Sequence, residues 1–215
     1  MLAVFSNFVS SKLVNMKSII EKSLLNGISY SNYRKHIKSL LIQGKSTGKD
    51  QSEALTHYSE LNETRMNRLE KTITISNENI QKLQNLKRKY IWLVISEGWC
   101  GDAAQIVPVI FKIAECTENI DLKIVMRDEN DDLTNLFLTN GTKSIPKLIF
   151  LDGVTFELLG HFGPRPKGAI ELIANYKKKF GLIDEKAKAA LQMWYLKDKG
   201  LSIQNEILGL LLINE

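Results

Sequence analysis

The chain has 215 residues, of which 44% are hydrophobic and 25% are charged, and its formal net charge is +5. This length and composition are typical of a globular protein with one well-packed domain and some additions. No apolar run approaches the roughly 20 residues that a membrane-spanning helix needs. The sequence therefore predicts a protein without a membrane span, and we expect it in the cytoplasm.

The N-terminal segment is basic. Residues 1–49 hold eight Lys or Arg side chains against a single acid, Glu21. Because these charges are mostly spaced along predicted helices, we interpret them as solvated faces and predict no nucleic-acid partner. Met1 to Ile20 lacks the apolar core and cleavage site of a secretory signal. We interpret it as a flexible leader, or as a segment that precedes a true start at Met16.

Three helices are predicted before the first strand. Tyr30 to Gln43 has one apolar face. Gln51 to Leu69 carries a second apolar stripe and begins with Asp50 and Glu53 at the spacing of a capping box. Asn77 to Lys87 forms a shorter helix. The apolar stripes need a partner surface, and the most economical one is the face of the sheet that follows.

A cysteine lies between the first strand and the next helix. Tyr90 to Ile95 is a short run rich in aromatic and β-branched residues, which predicts a buried strand. Ala103 to Cys116 has the apolar spacing of a helix. Cys100 thus precedes a helix N-terminus, where the dipole can lower a thiol pKa from about 8.5 to roughly 3.5–7.5. The carboxylate of Asp102 opposes this effect because it disfavours a neighbouring thiolate.

The remaining elements alternate between strands and helices. The last predicted helix has more apolar residues than one face can bury, so we expect it to dock on the N-terminal helices or to form a homodimer contact. The predicted helices are Leu133 to Leu138, Pro166 to Phe180, Asp184 to Lys199 and a last one that Ser202 caps and that runs to Ile213.

The loop after the first strand carries a family resemblance. Its residues are Trp99, Cys100, Gly101, Asp102 and Ala103. This loop resembles the Trp-Cys-Gly-Pro-Cys loop of the thioredoxin superfamily. Pro108 matches the proline that kinks the following helix of the family. Ile145 and Pro146 resemble its cis-proline segment. The resemblance also implies three strands: a central one over Asp121 to Asp128, and two closing antiparallel ones over Lys147 to Leu151 and Thr155 to Leu159.

The resemblance spans roughly Ser76 to Phe180 and implies a fold class. We therefore predict an α/β, thioredoxin-like fold, in which helices flank a central mixed sheet. The predicted organisation is a leader and helical extension over 1–75, a thioredoxin-like domain over 76–181, and a C-terminal helical extension over 182–215 that packs on the core.

The second cysteine of the family loop is missing, because Ala103 stands in its place. Cys116, the only other cysteine, lies about 24 Å along the predicted helix at 1.5 Å per residue, too far for a disulfide. We interpret Cys116 as a buried, inert core residue. The aspartate that assists proton transfer in typical thioredoxins is also absent, since Val94 occupies its position.

Two functions remain open, and a third has less support. The first is a monothiol thiol-disulfide oxidoreductase, in which Cys100 attacks a disulfide and an external thiol such as glutathione resolves the product. The second is a redox-inactive protein-binding module that uses the cleft at Ile145 and Pro146. Peroxide reduction is less attractive because no assisting threonine and arginine are visible near Cys100.

The candidate site combines this loop with three more residues. The resemblance implies that the backbone of Ile145, beside Pro146, pairs with an extended substrate segment. Arg165 is a candidate for binding a carboxylate or phosphate of a partner, and the alternative is a surface arginine paired with an acidic neighbour. The histidines form no metal-binding pattern. We expect no cofactor besides an external thiol, and a protein or small-molecule disulfide or thiol as the partner.

Overall fold

The computed structural model describes the backbone of residues 2–213 and 215 and the side chains of residues 14–213 and 215. In this part of the chain, helices surround a small sheet. The α-helices are α1 (Leu2–Leu25), α2 (Tyr30–Ile42), α3 (Glu53–Thr72), α4 (Asn77–Gln84), α5 (Gly101–Ala114), α6 (Asp131–Leu136), α7 (Lys167–Phe180), α8 (Glu185–Asp198) and α9 (Leu201–Leu212). The strands are β1 (Tyr90–Ser96), β2 (Ile120–Met126), β3 (Lys147–Asp152) and β4 (Leu158–Phe162).

The sheet is mixed and has the order β2-β1-β3-β4. β1 runs parallel to β2 and antiparallel to β3, and β3 runs antiparallel to β4. The two central strands are almost entirely buried. They are rich in Val, Ile and Leu because a strand covered on both faces needs apolar side chains on both. The predicted α/β fold class is confirmed, and β1 leads from the middle of the sheet into the loop that holds Cys100.

The β2 edge of the sheet is covered by the connection between α1 and α2. Ile28 N–H donates to the Ile124 carbonyl at 2.9 Å, and Ile124 N–H donates to the Ile28 carbonyl at 2.8 Å. An uncovered edge would offer these groups to other chains. The N-terminal extension is therefore tied to the central domain by backbone hydrogen bonds.

A buried arginine joins α2 to α3. The guanidinium of Arg34 donates to Glu63 Oε1 at 3.0 Å, Glu70 Oε1 at 2.7 Å and Asn67 Oδ1 at 2.8 Å. Such a buried charge is tolerated because carboxylates and an amide satisfy its donors. Since α3 also packs along α5, this network fixes α3 beside the helix that begins at Cys100.

The last helix docks within the chain. The apolar residues of α9 that are buried are Ile203, Ile207, Leu208 and Leu211. They face chiefly α5 and β4, rather than the N-terminal helices that the sequence suggested. Leu212 and Ile213 remain exposed.

One predicted strand is displaced along the chain. The predicted strand over Thr155 to Leu159 is wrong, because β4 begins only at Leu158. Asp152 Oδ1 accepts the N–H groups of Val154 and Thr155, and Phe156 has a φ of 60°. These features hold the segment in a turn, so pairing with β3 starts later.

The structure also differs from the predictions at two helix caps and in the N-terminal leader. Asp50 Oδ1 accepts from Ser52 N–H instead of capping a helix, and α3 starts at Glu53. Gly200, not Ser202, is the N-cap of α9. Residues 2–20, predicted as a flexible leader or as a segment before the true start, are helical and belong to α1. Met1 and the side chains of residues 2–13 lie outside the described residues.

Candidate functional site

Cys100 is the N-cap residue of α5. Its N–H donates to the Glu97 carbonyl at 3.2 Å, which closes the turn between β1 and α5. Its Sγ accepts the N–H of Ala103 at 3.4 Å, as a capping side chain does. The predicted strand-loop-helix arrangement is present, and the thiol lies at the helix terminus.

The thiol is buried and protonated. Cys100 is 8% exposed, and its Sγ donates to the carbonyl of Ile145 at 3.4 Å. Burial, followed by the charge of Asp102, raises the pKa of Cys100 to about 12, against the opposing effect of the Ala103 amide. Loss of water around the thiolate thus outweighs the lowering that we expected from the helix terminus.

Asp102 connects two parts of the chain beside the thiol. Its Oδ2 accepts from Arg165 Nε at 2.8 Å and from Nη2 at 2.7 Å. Its Oδ1 accepts from the hydroxyl of Tyr195, a buried residue of α8, at 2.8 Å. The carboxylate that Arg165 binds in this structure is therefore the chain's own Asp102.

Buried polar groups anchor the loop before Cys100. Glu97 is fully buried, and its Oε1 accepts from Asp128 N–H at 3.0 Å. Its other oxygen, Oε2, has no partner among the described residues. Burial raises the pKa of Glu97. Gly98 donates to Thr47 Oγ1 at 2.8 Å and accepts from Asn62 Nδ2 at 2.9 Å. The sequence analysis missed these anchors, which come from segments distant in the chain.

A first hollow, here called the cleft, lies on the Ile145 side of Cys100. Its volume is about 450 Å³. Ile145 borders it, whereas Pro146 is buried behind it, and the bond between them is cis, as the resemblance implied. The guanidinium carbon of Arg127 lies 4.6 Å from the centroid of the half-buried Trp99 ring. The other lining residues are Cys100, Asp102, Thr142, Lys143, Ser144, Pro164 and Arg165.

A second hollow, here called the α3–α8 cavity, lies on the other side of Cys100. Its volume is about 540 Å³. It is lined from α3 by Leu55, Tyr58, Leu61 and Arg65, from α8 by Glu185, Lys188, Ala189, Leu191 and Gln192, from the start of α5 by Gly101, and from the wall shared with the cleft by Trp99, Cys100, Asp102 and Arg165. The sequence analysis missed this site, although the apolar stripe of α3 was its signal.

The predicted loop residues thus come together, with different roles. Trp99, Cys100 and Asp102 line both hollows, and Gly101 lines only the α3–α8 cavity. Ala103 is fully buried and reaches the site through its N–H alone.

Cys116 plays no part in this site. It lies just beyond the far end of α5, and both cysteines are free thiols. Its Sγ donates to the Lys112 carbonyl at 3.2 Å. The prediction of a buried core residue holds in part, because Cys116 packs against the core but is only partly buried.

The fold agrees with two solved structures. A protein of unknown function from Pseudomonas aeruginosa matches with a TM-score of 0.56 and 19% identity, over 87% of this chain and 99% of its own. An HIV epitope scaffold matches with a TM-score of 0.53 and 21% identity, over 86% of this chain and 98% of its own. At these identities the likeness concerns the fold alone.

Three further findings concern curated relatives, membrane-spanning helices and the protein family. A search of curated proteins found no match. Within the described residues, no helix has both the length and the apolar character needed to cross a membrane. A family model described as "Thioredoxin" matches residues 48–177, which include α3, β1, the Cys100 loop and the antiparallel strands β3 and β4. The chain therefore belongs to the thioredoxin family.

Proposed function

We propose that this protein is a binding module of the thioredoxin family, which holds an extended segment of a partner protein in the cleft without redox turnover. The state of Cys100 carries this proposal. Its thiol is 8% exposed and already donates a hydrogen bond to Ile145, and its pKa is raised to about 12 by burial and by Asp102. At neutral pH the nucleophilic thiolate is therefore a minute fraction of the population.

The backbone at Ile145 supports binding of an extended segment. Its N–H has no hydrogen-bond partner within the described part of the chain. An extended peptide binds such an unpaired backbone group through its own main chain, while side pockets select its side chains. The half-buried ring of Trp99 offers an apolar surface beside it.

The charges of the cleft favour an uncharged segment. Arg127 pairs with Asp128 at 2.7 Å, and Lys143 pairs with Asp131 at 2.8 Å. Arg165 is held by Asp102, as described above. Because each cation already has a carboxylate partner, an acidic segment would gain little from them.

Monothiol redox chemistry remains the second candidate, and one observation favours it. Cys100 borders both hollows, and the Ala103 N–H at 3.4 Å would stabilise a thiolate once formed. The thiolate would attack one sulfur of a partner disulfide, form a mixed disulfide and release the other sulfur as a thiolate. An external thiol such as glutathione would then reduce the mixed disulfide.

Site-specific photocrosslinking in cells tests the two candidates. A photoreactive amino acid at Ser144, on the cleft, is compared with the same residue at Glu118, an exposed position outside the cleft. We expect a discrete set of crosslinked partners at position 144 only, and the same set when Cys100 is replaced by serine.

The outcomes separate the two functions. Capture that disappears with Cys100→Ser and is reversed by a reductant would favour the monothiol function. Identical capture from positions 144 and 118 would contradict specific binding in the cleft.

A further inference from the structure

The α3–α8 cavity has an apolar body. Leu55, Tyr58 and Leu61 line it from α3, and Leu191 lines it from α8. Trp99 lies in the wall that it shares with the cleft. A volume of about 540 Å³ with mostly apolar walls is within the usual range for small-molecule sites.

One positive charge in this cavity has no counter-ion. Arg165 is paired with Asp102 at 2.7 Å, and Lys188 with Glu185 at 2.6 Å. Arg65 has no carboxylate within ion-pair distance among the residues that the structure describes. Its Nη1 donates only to the amide oxygen of Asn62, at 2.7 Å. The side chain is half-buried, and burial together with Arg68 lowers its pKa. An anion bound in the cavity would offset the free-energy cost of keeping the charge of Arg65 half-buried.

A second donor converges with Arg65 above Gly101. A Cβ placed on Gly101 would lie 3.7 Å from Arg65 Nη1 and 3.7 Å from Gln192 Nε2. Gln105 Nε2 donates to Gln192 Oε1 at 2.7 Å. This bond directs the oxygen of Gln192 towards Gln105 and leaves its amide N–H groups for the cavity. A guanidinium and an amide therefore meet where glycine leaves room, and a carboxylate accepts hydrogen bonds from both kinds of donor.

We propose that the α3–α8 cavity binds a small molecule with one carboxylate and an apolar body, whose carboxylate lies between Arg65 and Gln192. A single charge on the ligand matches the single uncompensated charge of the cavity. The apolar body would pack along Leu55, Tyr58 and Leu61. This site is separate from the peptide-binding cleft, so the inference goes beyond the proposed function.

Ligand titration of the full chain tests the proposal, with octanoate as the probe and calorimetry, supported by tryptophan fluorescence, as the measurement. Octanol has the same chain without the charge, and acetate has the charge without the chain. We expect saturable binding of octanoate and binding at least about tenfold weaker for the other two. Equal affinity for octanoate and octanol, or no saturable octanoate binding, would overturn the proposal.

Matched variants test the role of Arg65. Arg65→Gln should weaken octanoate binding at least about tenfold. Arg68→Gln removes the same charge from the same helix outside the cavity and should leave the affinity within about twofold. If both variants bind as the unmodified chain does, Arg65 does not hold the carboxylate and the proposal is wrong.

A third variant keeps the test independent of the stability of Arg65→Gln. Ala189 is exposed on α8 and lines the cavity, so Ala189→Phe should fill it without disturbing the core. This variant should abolish octanoate binding and leave crosslinking from position 144 in the cleft unchanged. Unaltered octanoate binding by Ala189→Phe would place the ligand elsewhere and refute the proposed site.

Discussion

Cys100 and Asp102 form a wall between two hollows of different character. On one side, the cleft offers backbone groups of Ile145 and cations that each have a carboxylate partner. On the other side, the α3–α8 cavity offers apolar side chains and the unpaired guanidinium of Arg65. The first is suited to an extended main chain, and the second to a small amphipathic anion.

The difference follows from the segments that build each side. The cleft is made by loops between elements of the sheet and the helices that cover it. The cavity is made by two helices, of which α8 lies beyond the region matched by the family model. The proposed second site thus combines α3, which lies within the family region, with α8, which lies beyond it. Asp102 is the residue that holds both sides, through Arg165 and through Tyr195.

The largest expected effect concerns the reactivity of the Cys100 thiol. In a Cys116→Ser background, we expect alkylation of native Cys100 to show no inflection below about pH 10. Burial and Asp102 raise the pKa of Cys100 from 9.0 to about 12, which corresponds to roughly 1000-fold less thiolate at neutral pH. The measurement is the alkylation rate against pH, with the urea-unfolded chain as the control. An inflection below about 8.5 in the native protein would contradict this account.

Removal of the shared carboxylate should give the next largest effect. Asp102→Asn leaves the half-buried Arg165 without its counter-ion and weakens the bond to Tyr195. We expect the free energy of unfolding to fall by about 2–3 kcal/mol, somewhat less than for a fully buried pair. Urea denaturation measures the loss. Asp131→Asn, which breaks the exposed pair with Lys143, is the matched control and should cost far less. Equal losses of unfolding free energy in Asp102→Asn and Asp131→Asn would show that the contacts of Asp102 with Arg165 and Tyr195 add no more stability than an exposed ion pair.

The pH dependence of the free energy of unfolding should distinguish the titration of Cys100 from that of the other ionisable groups. Because the folded pKa of Cys100, about 12, lies above its unfolded value, the folded state keeps the proton longer. The stabilisation is complete below about pH 8.5 and is lost as pH rises towards 12, at up to about 1.4 kcal/mol per pH unit. We expect unfolding free energies of the unmodified chain and Cys100→Ser to diverge above pH 9. Parallel curves up to pH 10.5 would contradict the prediction, since Cys116 and the tyrosines are common to both.

The smallest effect should come from removing only the hydrogen bond between Tyr195 and Asp102. Tyr195→Phe removes the hydroxyl that α8 donates to Asp102 and leaves Arg165 in place. We expect a loss of about 1.5 kcal/mol, the lower end for a hydrogen bond to a charged group. A double variant with Asp102→Asn should lose less than the sum of the two, because both changes break the same contact. Strictly additive losses in urea denaturation would show that the two residues act independently.

The local part of this site could be predicted from the sequence. The apolar run of β1, the helical spacing of α5 and the position of Cys100 between them depend on neighbouring residues. The pairing of Asp102 with Arg165 and Tyr195 spans 63 and 93 residues. Such contacts depend on how α7 and α8 pack, and no local pattern in the chain specifies them.

Local errors arose where a side chain had two possible backbone partners. Asp152 could have continued a strand hairpin, but it accepts two N–H groups of the following turn. Asp50 could have capped a helix, but it closes a turn onto Ser52. Both aspartates satisfy the same kind of donor in either arrangement, and tertiary packing decides between them.

The bridge between Ile28 and Ile124 has a consequence for synthesis of the chain. The two residues are held by a pair of backbone hydrogen bonds across nearly a hundred residues. A ribosome adds about 5–20 residues per second. Ile28 therefore emerges several seconds before its partner strand exists, and the sheet edge can be closed only after β2 has left the ribosome. The contact between the N-terminal extension and the sheet therefore forms only after β2 has been made.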